Sequence, residues 1–104
     1  MNGRRLKILQ WQTLRKNSLL GFAKIELPIG LVIRDVTVHE SNGKRWASMP
    51  SKPLLDSDGR VHVNDLGKRE YALMLEWRSR ELSDGFSSAV LRALDEDKPG
   101  WDRA

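Results

Sequence analysis

No feature of this chain restricts its fold as much as Asn42-Gly43, which separates two apolar-rich stretches. A two-residue hairpin loop needs positive φ at both central positions. Asn and Gly reach that region at least cost, so the pair predicts a type I′ turn. The stretch before it, 31–40, is rich in β-branched residues (Val32, Ile33, Val36, Thr37, Val38) and reads as a strand. Residues 44–49 read as the return strand, which Pro50 ends. Gly43 and Pro50 are therefore expected to be structural.

The hairpin needs neighbours to bury a face. Over 19–28, Ala23, Ile25 and Leu27 alternate with Lys24 and Glu26, the period of a half-buried strand. Pro28-Ile29-Gly30 bends the chain towards the hairpin. Residues 5–14 read as a further strand whose inward face the pattern leaves open, followed by a turn at Arg15-Lys16-Asn17-Ser18. A long connection, 54–69, carries turn residues at Asp56-Ser57-Asp58-Gly59 and Asn64-Asp65-Leu66-Gly67. In 70–78, Tyr71, Leu73, Leu75 and Trp77 share one parity, which predicts a last strand; a helix through Tyr71, Met74, Leu75 and Arg78 is the rival. From 80 to 96 the period changes: Leu82, Phe86, Ala89, Val90, Ala93 and Leu94 form one helical stripe. Pro99-Gly100 stops it, leaving 97–104 as a loose tail. Gly85, near the helix start, is expected to allow a close approach of the kind a dimer contact uses. The expected fold is α+β: one domain over 1–104, a small antiparallel sheet of four to five strands with a C-terminal helix packed on one face.

Composition narrows the function classes. The chain has no cysteine, which excludes disulfides, zinc-thiolate sites, iron–sulfur clusters and thiol catalysis. Its longest apolar run, 72–75, has four residues, against the ~20 a membrane helix needs. Lys7, Gln10 and Gln12 break any apolar signal region behind Arg4-Arg5, so a cytoplasmic protein is expected. The charge is lopsided: 1–52 carry ten cations against three anions, and 53–104 carry eight against eleven. A basic half of this kind suits a polyanion, or equally a solubilising surface.

Val32-Ile33-Arg34-Asp35-Val36-Thr37-Val38, then Asn42-Gly43, then Trp46-Ala47-Ser48-Met49-Pro50-Ser51-Lys52 resembles the SpoVG family (stage V sporulation protein G), whose members show a "VxDVxV" strand, a short turn and a strand ending in "MPSK". Clear resemblance covers about a third of the chain. It implies a small sheet-plus-helix fold, a homodimer, and nucleic-acid binding in a regulatory role. The sequence departs from the pattern in three places. Pro53 follows Lys52, the 54–69 connection is long, and the helix carries Arg80 and Arg92 against Glu81, Asp84, Asp95 and Glu96. The positive surface is therefore expected on the sheet and hairpin rather than on the helix.

Candidate nucleic-acid contacts are Lys44, Arg45, Trp46 and Lys52, with Arg4 and Arg5 as a basic arm and Lys68-Arg69 as a basic pair in the connection. Lys44 and Arg45 would neutralise phosphates and the Trp46 indole would stack on a base, although alternation sets Arg45 and Trp46 on opposite faces and a strand Trp commonly belongs to a core. Asp35, inside an apolar strand, reads as a buried structural carboxylate held by backbone N–H groups or an arginine. His39 and His62 lack the spacing of a metal site, and neither a nucleophile elbow nor a glycine-rich phosphate loop is present. The expectation is a non-catalytic protein without cofactor or metal that binds DNA or RNA as a homodimer. The alternative is an interaction module whose basic face docks an acidic protein.

Overall fold

A computed structural model describes residues 5–53 and 55–103. Four strands, β1 (Lys7–Lys16), β2 (Leu19–Glu26), β3 (Val32–Ser41) and β4 (Lys44–Ser48), form an antiparallel meander in the order β1-β2-β3-β4. A helix, α1 (Arg80–Asp97), covers one face, so the α+β architecture is as expected. Asn42 and Gly43 have φ of 54° and 78°, as the β3–β4 turn requires. Ile25, Val36, Val38, Val90 and Leu94 are the largest fully buried side chains, at the seam between sheet and helix. No described helix is long and apolar enough to cross a membrane.

Four parts depart from the sequence reading. The first is β3, where Ala23 and Ile25 of β2 face Val36 and Ile33, so three steps on β3 match two on β2. The extra residue is a bulge, and Asp35 takes φ of 61° within it. Ile33, Val36 and Val38 still turn inward, while Asp35 is exposed rather than buried. Asp tolerates the left-handed region better than most residues.

The expected strand over 70–78 shrinks to β6 (Tyr71–Leu73), which pairs with β5 (Ser51–Pro53) in a separate two-stranded sheet. The shared parity of Tyr71, Leu75 and Trp77 marks no buried strand face, since Tyr71 and Leu75 are exposed. Trp77 instead packs on Phe86, with ring centroids 5.1 Å apart. The connection between β5 and β6 is itself an arm. Turns at Gly59 and Gly67 (φ 84° and 77°) fold it, and bridges Leu55↔Val61 and Val63↔Arg69 tie it together.

The tail is anchored. Trp101 is buried in a short 3₁₀ turn, Trp101–Arg103, and meets Trp11 edge-on at 5.3 Å. Its indole N–H donates to Asp95 at 2.9 Å. The Pro99-Gly100 stop thus folds the chain back onto the core edge that Trp11 leaves open.

Along α1, burial begins at Phe86, so Leu82 stays exposed and the stripe is shorter than its periodicity. Gly85 has open space where a Cβ would stand, so it serves no close approach within the chain. Gly21 does: a Cβ there would lie 2.6 Å from the Trp11 ring. The last turn of α1 carries no base and ends in acids, which opposes the helix dipole. Arg5 offsets this by binding Asp97 at 2.5 Å and Glu96 at 3.2 Å, while Asp97 also accepts the Ile8 N–H at 2.9 Å.

Candidate nucleic-acid interface

Because α1 covers one face, alternation assigns every other side chain of the sheet to the uncovered face. Ala23 and Ile25 turn to the helix, so Phe22 and Lys24 turn away. Gln10 and Gln12 of β1 share that side, and so do Arg34, Asp35, Thr37 and His39 of β3. On β4, Ala47 is buried, which puts Lys44, Trp46 and Ser48 on the uncovered face and Arg45 on the helix side. The uncovered face forms an open groove of about 810 Å³, walled on one side by Met49, Pro50, Ser51 and Tyr71. A smaller hollow of about 110 Å³ adjoins it and holds Lys24, Arg34 and Gln10, sharing Gln12, Phe22 and Asp35 with the groove.

His39 lies in the groove floor. Its ring stacks on Trp46 with centroids 5.3 Å apart and planes within 12°. Nδ1 meets the Ser18 hydroxyl at 3.2 Å and Nε2 the Thr37 hydroxyl at 3.0 Å. Burial pushes the His39 pKa down, so the imidazole is neutral at pH 7 and offers a ring rather than a charge. His62 is the opposite case. Its Nδ1 contacts Asp56 at 2.7 Å and its Nε2 contacts Glu70 at 3.1 Å, and the hydrogen bond to Asp56 chiefly raises its pKa. The two carboxylates sit on different sides of the ring, which fits a clasp across the arm and not convergence on a metal.

The expected contact residues do not form one cluster. Lys44 is exposed at the β3–β4 turn and Trp46 backs the groove. Arg45 belongs to the helix side, where it binds Glu40 at 2.5 Å and Asp102 at 3.1 Å and lies 5.2 Å over the Trp101 ring. The hydrogen bond to Glu40, supported by Asp102, raises its pKa further and holds the charge in place. Arg5 is bound to the end of α1, and Arg4 lies outside the described residues. Lys52 has the opposite parity to Ser51 in β5, so it faces away from the groove. Lys68 and Arg69 sit on the arm between the Gly67 turn and β6. Of the "MPSK" stretch, Met49, Pro50 and Ser51 line the groove.

The sequence reading overlooked Phe22, Lys24, Arg34, Gln12 and Tyr71 as site residues. Period two in β2 already separates Phe22 and Lys24 from the core residues, so those two were within reach. Arg34 depends on the bulge and Tyr71 on the arm. Comparison with protein-family models, with curated proteins and with solved structures finds no match for this chain.

Proposed function

We propose that this chain is a non-catalytic, cytoplasmic nucleic-acid-binding protein of regulatory type, working as a homodimer through the uncovered face of its sheet. The observation that carries this reading is the set of unmatched cations beside the groove. Arg5 and Arg45, on the helix side, are matched by Glu40, Glu96, Asp97 and Asp102. Lys24, Arg34 and Lys44, on the uncovered face, have no carboxylate within ion-pair distance among the described residues. Unmatched cations beside an open groove neutralise phosphates and release counterions. The resemblance to the SpoVG family points the same way. Exposed Met74, Leu75 and Leu82, around the approach to α1, are apolar surface that a second copy would cover.

A polarisation titration of labelled oligonucleotides between about 50 and 200 mM salt tests the reading. Each phosphate contact contributes about 0.7 (single strand) to 0.9 (duplex) to the log–log slope. Joint replacement Lys24→Gln, Arg34→Gln and Lys44→Gln should flatten the slope by about 2 to 3. Arg45→Gln should leave it unchanged. An unaltered slope in the triple variant, or no binding at low salt, refutes the reading. In the latter case a stoichiometric acidic protein recovered after nuclease treatment identifies the face as a protein-docking surface.

A further inference from the structure

The geometry points to unpaired bases, with guanine preferred, as the occupants of the groove on the uncovered face. This rests on the nucleic-acid reading above and specifies which form of nucleic acid that face accepts. The lining of the groove is selective in its chemistry. It presents the rings of Phe22, His39 and Tyr71 and the neutral polar groups of Gln12 and Thr37, and among the described residues that line it only Asp35 is charged. No lysine or arginine among the described residues lines it; Lys24 and Arg34 stand in the adjoining hollow. A phosphate placed in the groove would meet a carboxylate and no cation, whereas a phosphate over the hollow would meet two cations beside the shared Asp35, a net positive site. The backbone therefore runs along Lys24 and Arg34, and whatever hangs from it points into the groove.

A duplex cannot satisfy that arrangement. It turns phosphates outward and keeps base faces stacked inside, so rings and a carboxylate would confront its backbone. A single strand exposes both the π-faces that aromatic side chains stack on and the base edges that polar groups read. His39 fits this role because it is neutral and backed by Trp46, and so offers its ring face without charge. The groove also has the volume of a small-ligand site.

Asp35 sets the preference among bases. An ionised carboxylate only accepts hydrogen bonds. Guanine offers two adjacent donors, N1–H and the N2 amino group, which a carboxylate takes with both oxygens. Thymine and uracil offer a single N3–H flanked by two carbonyl oxygens, which repel the carboxylate. The bulge that gives Asp35 its φ of 61° also places it in the groove rather than in the core.

The test uses fluorescence polarisation with the full chain and three labelled DNA probes of equal length: all-thymine, thymine with isolated guanines, and a mixed-sequence duplex. The guanine-containing strand should bind at least about tenfold more tightly than the other two, the difference one well-held base makes. Asp35→Asn keeps a residue that tolerates positive φ, and circular dichroism checks that its fold persists. It should bring the guanine and all-thymine strands to within about twofold of each other. Tyr71→Ala should weaken single strands about tenfold and leave duplex binding unchanged. Duplex binding as tight as single-strand binding overturns the inference and leaves the nucleic-acid reading standing. So does guanine discrimination that survives Asp35→Asn. Failure of all three probes to bind at low salt removes both.

Discussion

Replacing Gly21 with alanine adds one methyl group at a point where β1 and β2 have no room for it. An ideal Cβ there clashes with the Gln12 carbonyl oxygen of the paired strand and lies 2.6 and 2.7 Å from two carbons of the Trp11 ring. Carbon atoms in contact prefer ~3.5–4.0 Å, so the indole must retreat by about 1 Å, and the backbone oxygen has no torsion that removes it alone. Trp11 is not free to retreat. Its Nε1–H donates to the Thr13 hydroxyl at 3.0 Å, and it meets Trp101 edge-on at 5.3 Å. Trp101 in turn lies beneath the Arg45 guanidinium. Overpacking costs ~1–3 kcal/mol and a lost aromatic pair ~0.5–1.5, while the stiffer unfolded chain returns ~0.4–1. The net expectation is a loss of about 1–3 kcal/mol, against ~5–15 for a whole domain. For a chain of this length that lowers Tm by roughly 5–20 °C. Thermal melts followed by far-UV circular dichroism and tryptophan fluorescence measure it, and Trp11→Ala should reduce the cost of the glycine substitution when the two are combined. A Tm within about 2 °C of the parent, or the same cost in both backgrounds, refutes the packing argument.

Three further outcomes follow from single contacts. The Ser87 hydroxyl accepts the Ala47 N–H at 2.9 Å and donates to the Ala47 carbonyl at 3.1 Å, both buried, so Ser87→Ala should cost about 1–3 kcal/mol in urea unfolding, and a change below ~0.5 contradicts this. The Arg5 guanidinium, aided by the Ile8 N–H, holds the Asp97 carboxyl below its usual range. A lowered folded-state pKa stabilises above the unfolded value of ~3.9 and is lost as pH falls through the folded value, so Asp97→Asn should cost about 1 kcal/mol at pH 7 and nothing at strongly acidic pH. A cost that persists unchanged in acid sinks that account. For the two histidines, NMR titration should place the His62 midpoint above ~6.5 and the His39 midpoint below it. The clasp of Asp56 and Glu70 on His62 is then complete below the ordinary imidazole pKa and is lost as pH rises through the raised one. Asp56→Asn should pull the His62 midpoint down; an unmoved midpoint denies the clasp its role.

The local signals of the chain were legible and its long-range ones were not. Asn42-Gly43 states its turn through backbone conformation alone, and the change from period two to period 3.6 near Arg80 marks the helix without reference to any partner. Asp35 defeated the same logic because a bulge adds one residue to a strand without changing its composition. With Ile33 and Val36 on either side, strict alternation has no place to put the extra residue. The tail misled for another reason. Pro99-Gly100 does end the helix, but what buries Trp101 is Trp11, ninety positions earlier, with Asp95 as hydrogen-bond partner. In the candidate site, alternation separated Arg45 from Trp46, but which of the two would turn to the helix was not written in the pattern. The matching of Arg45 was half visible, since Glu40 faces it across the hairpin register, whereas Asp102 reaches it only through the anchored tail.

The lopsided charge of the two halves describes the linear chain, and the fold redistributes it. Folding brings the acidic end of α1 and the 3₁₀ turn against Arg5 and Arg45, so both guanidinium groups are neutralised on the helix side of the sheet, where four carboxylates outnumber them. The field over the uncovered face is then governed by Lys7, Lys24, Arg34 and Lys44 against Glu26 and Asp35, because at 0.1 M salt charges more than ~10 Å away through solvent are largely screened. Two sets of cations that look alike in the sequence therefore answer to different measurements. Substituting Arg5 or Arg45 breaks contacts between helix, tail and sheet and is read in unfolding experiments. Substituting Lys24, Arg34 or Lys44 breaks no ion pair among the described residues and is read in the salt dependence of binding.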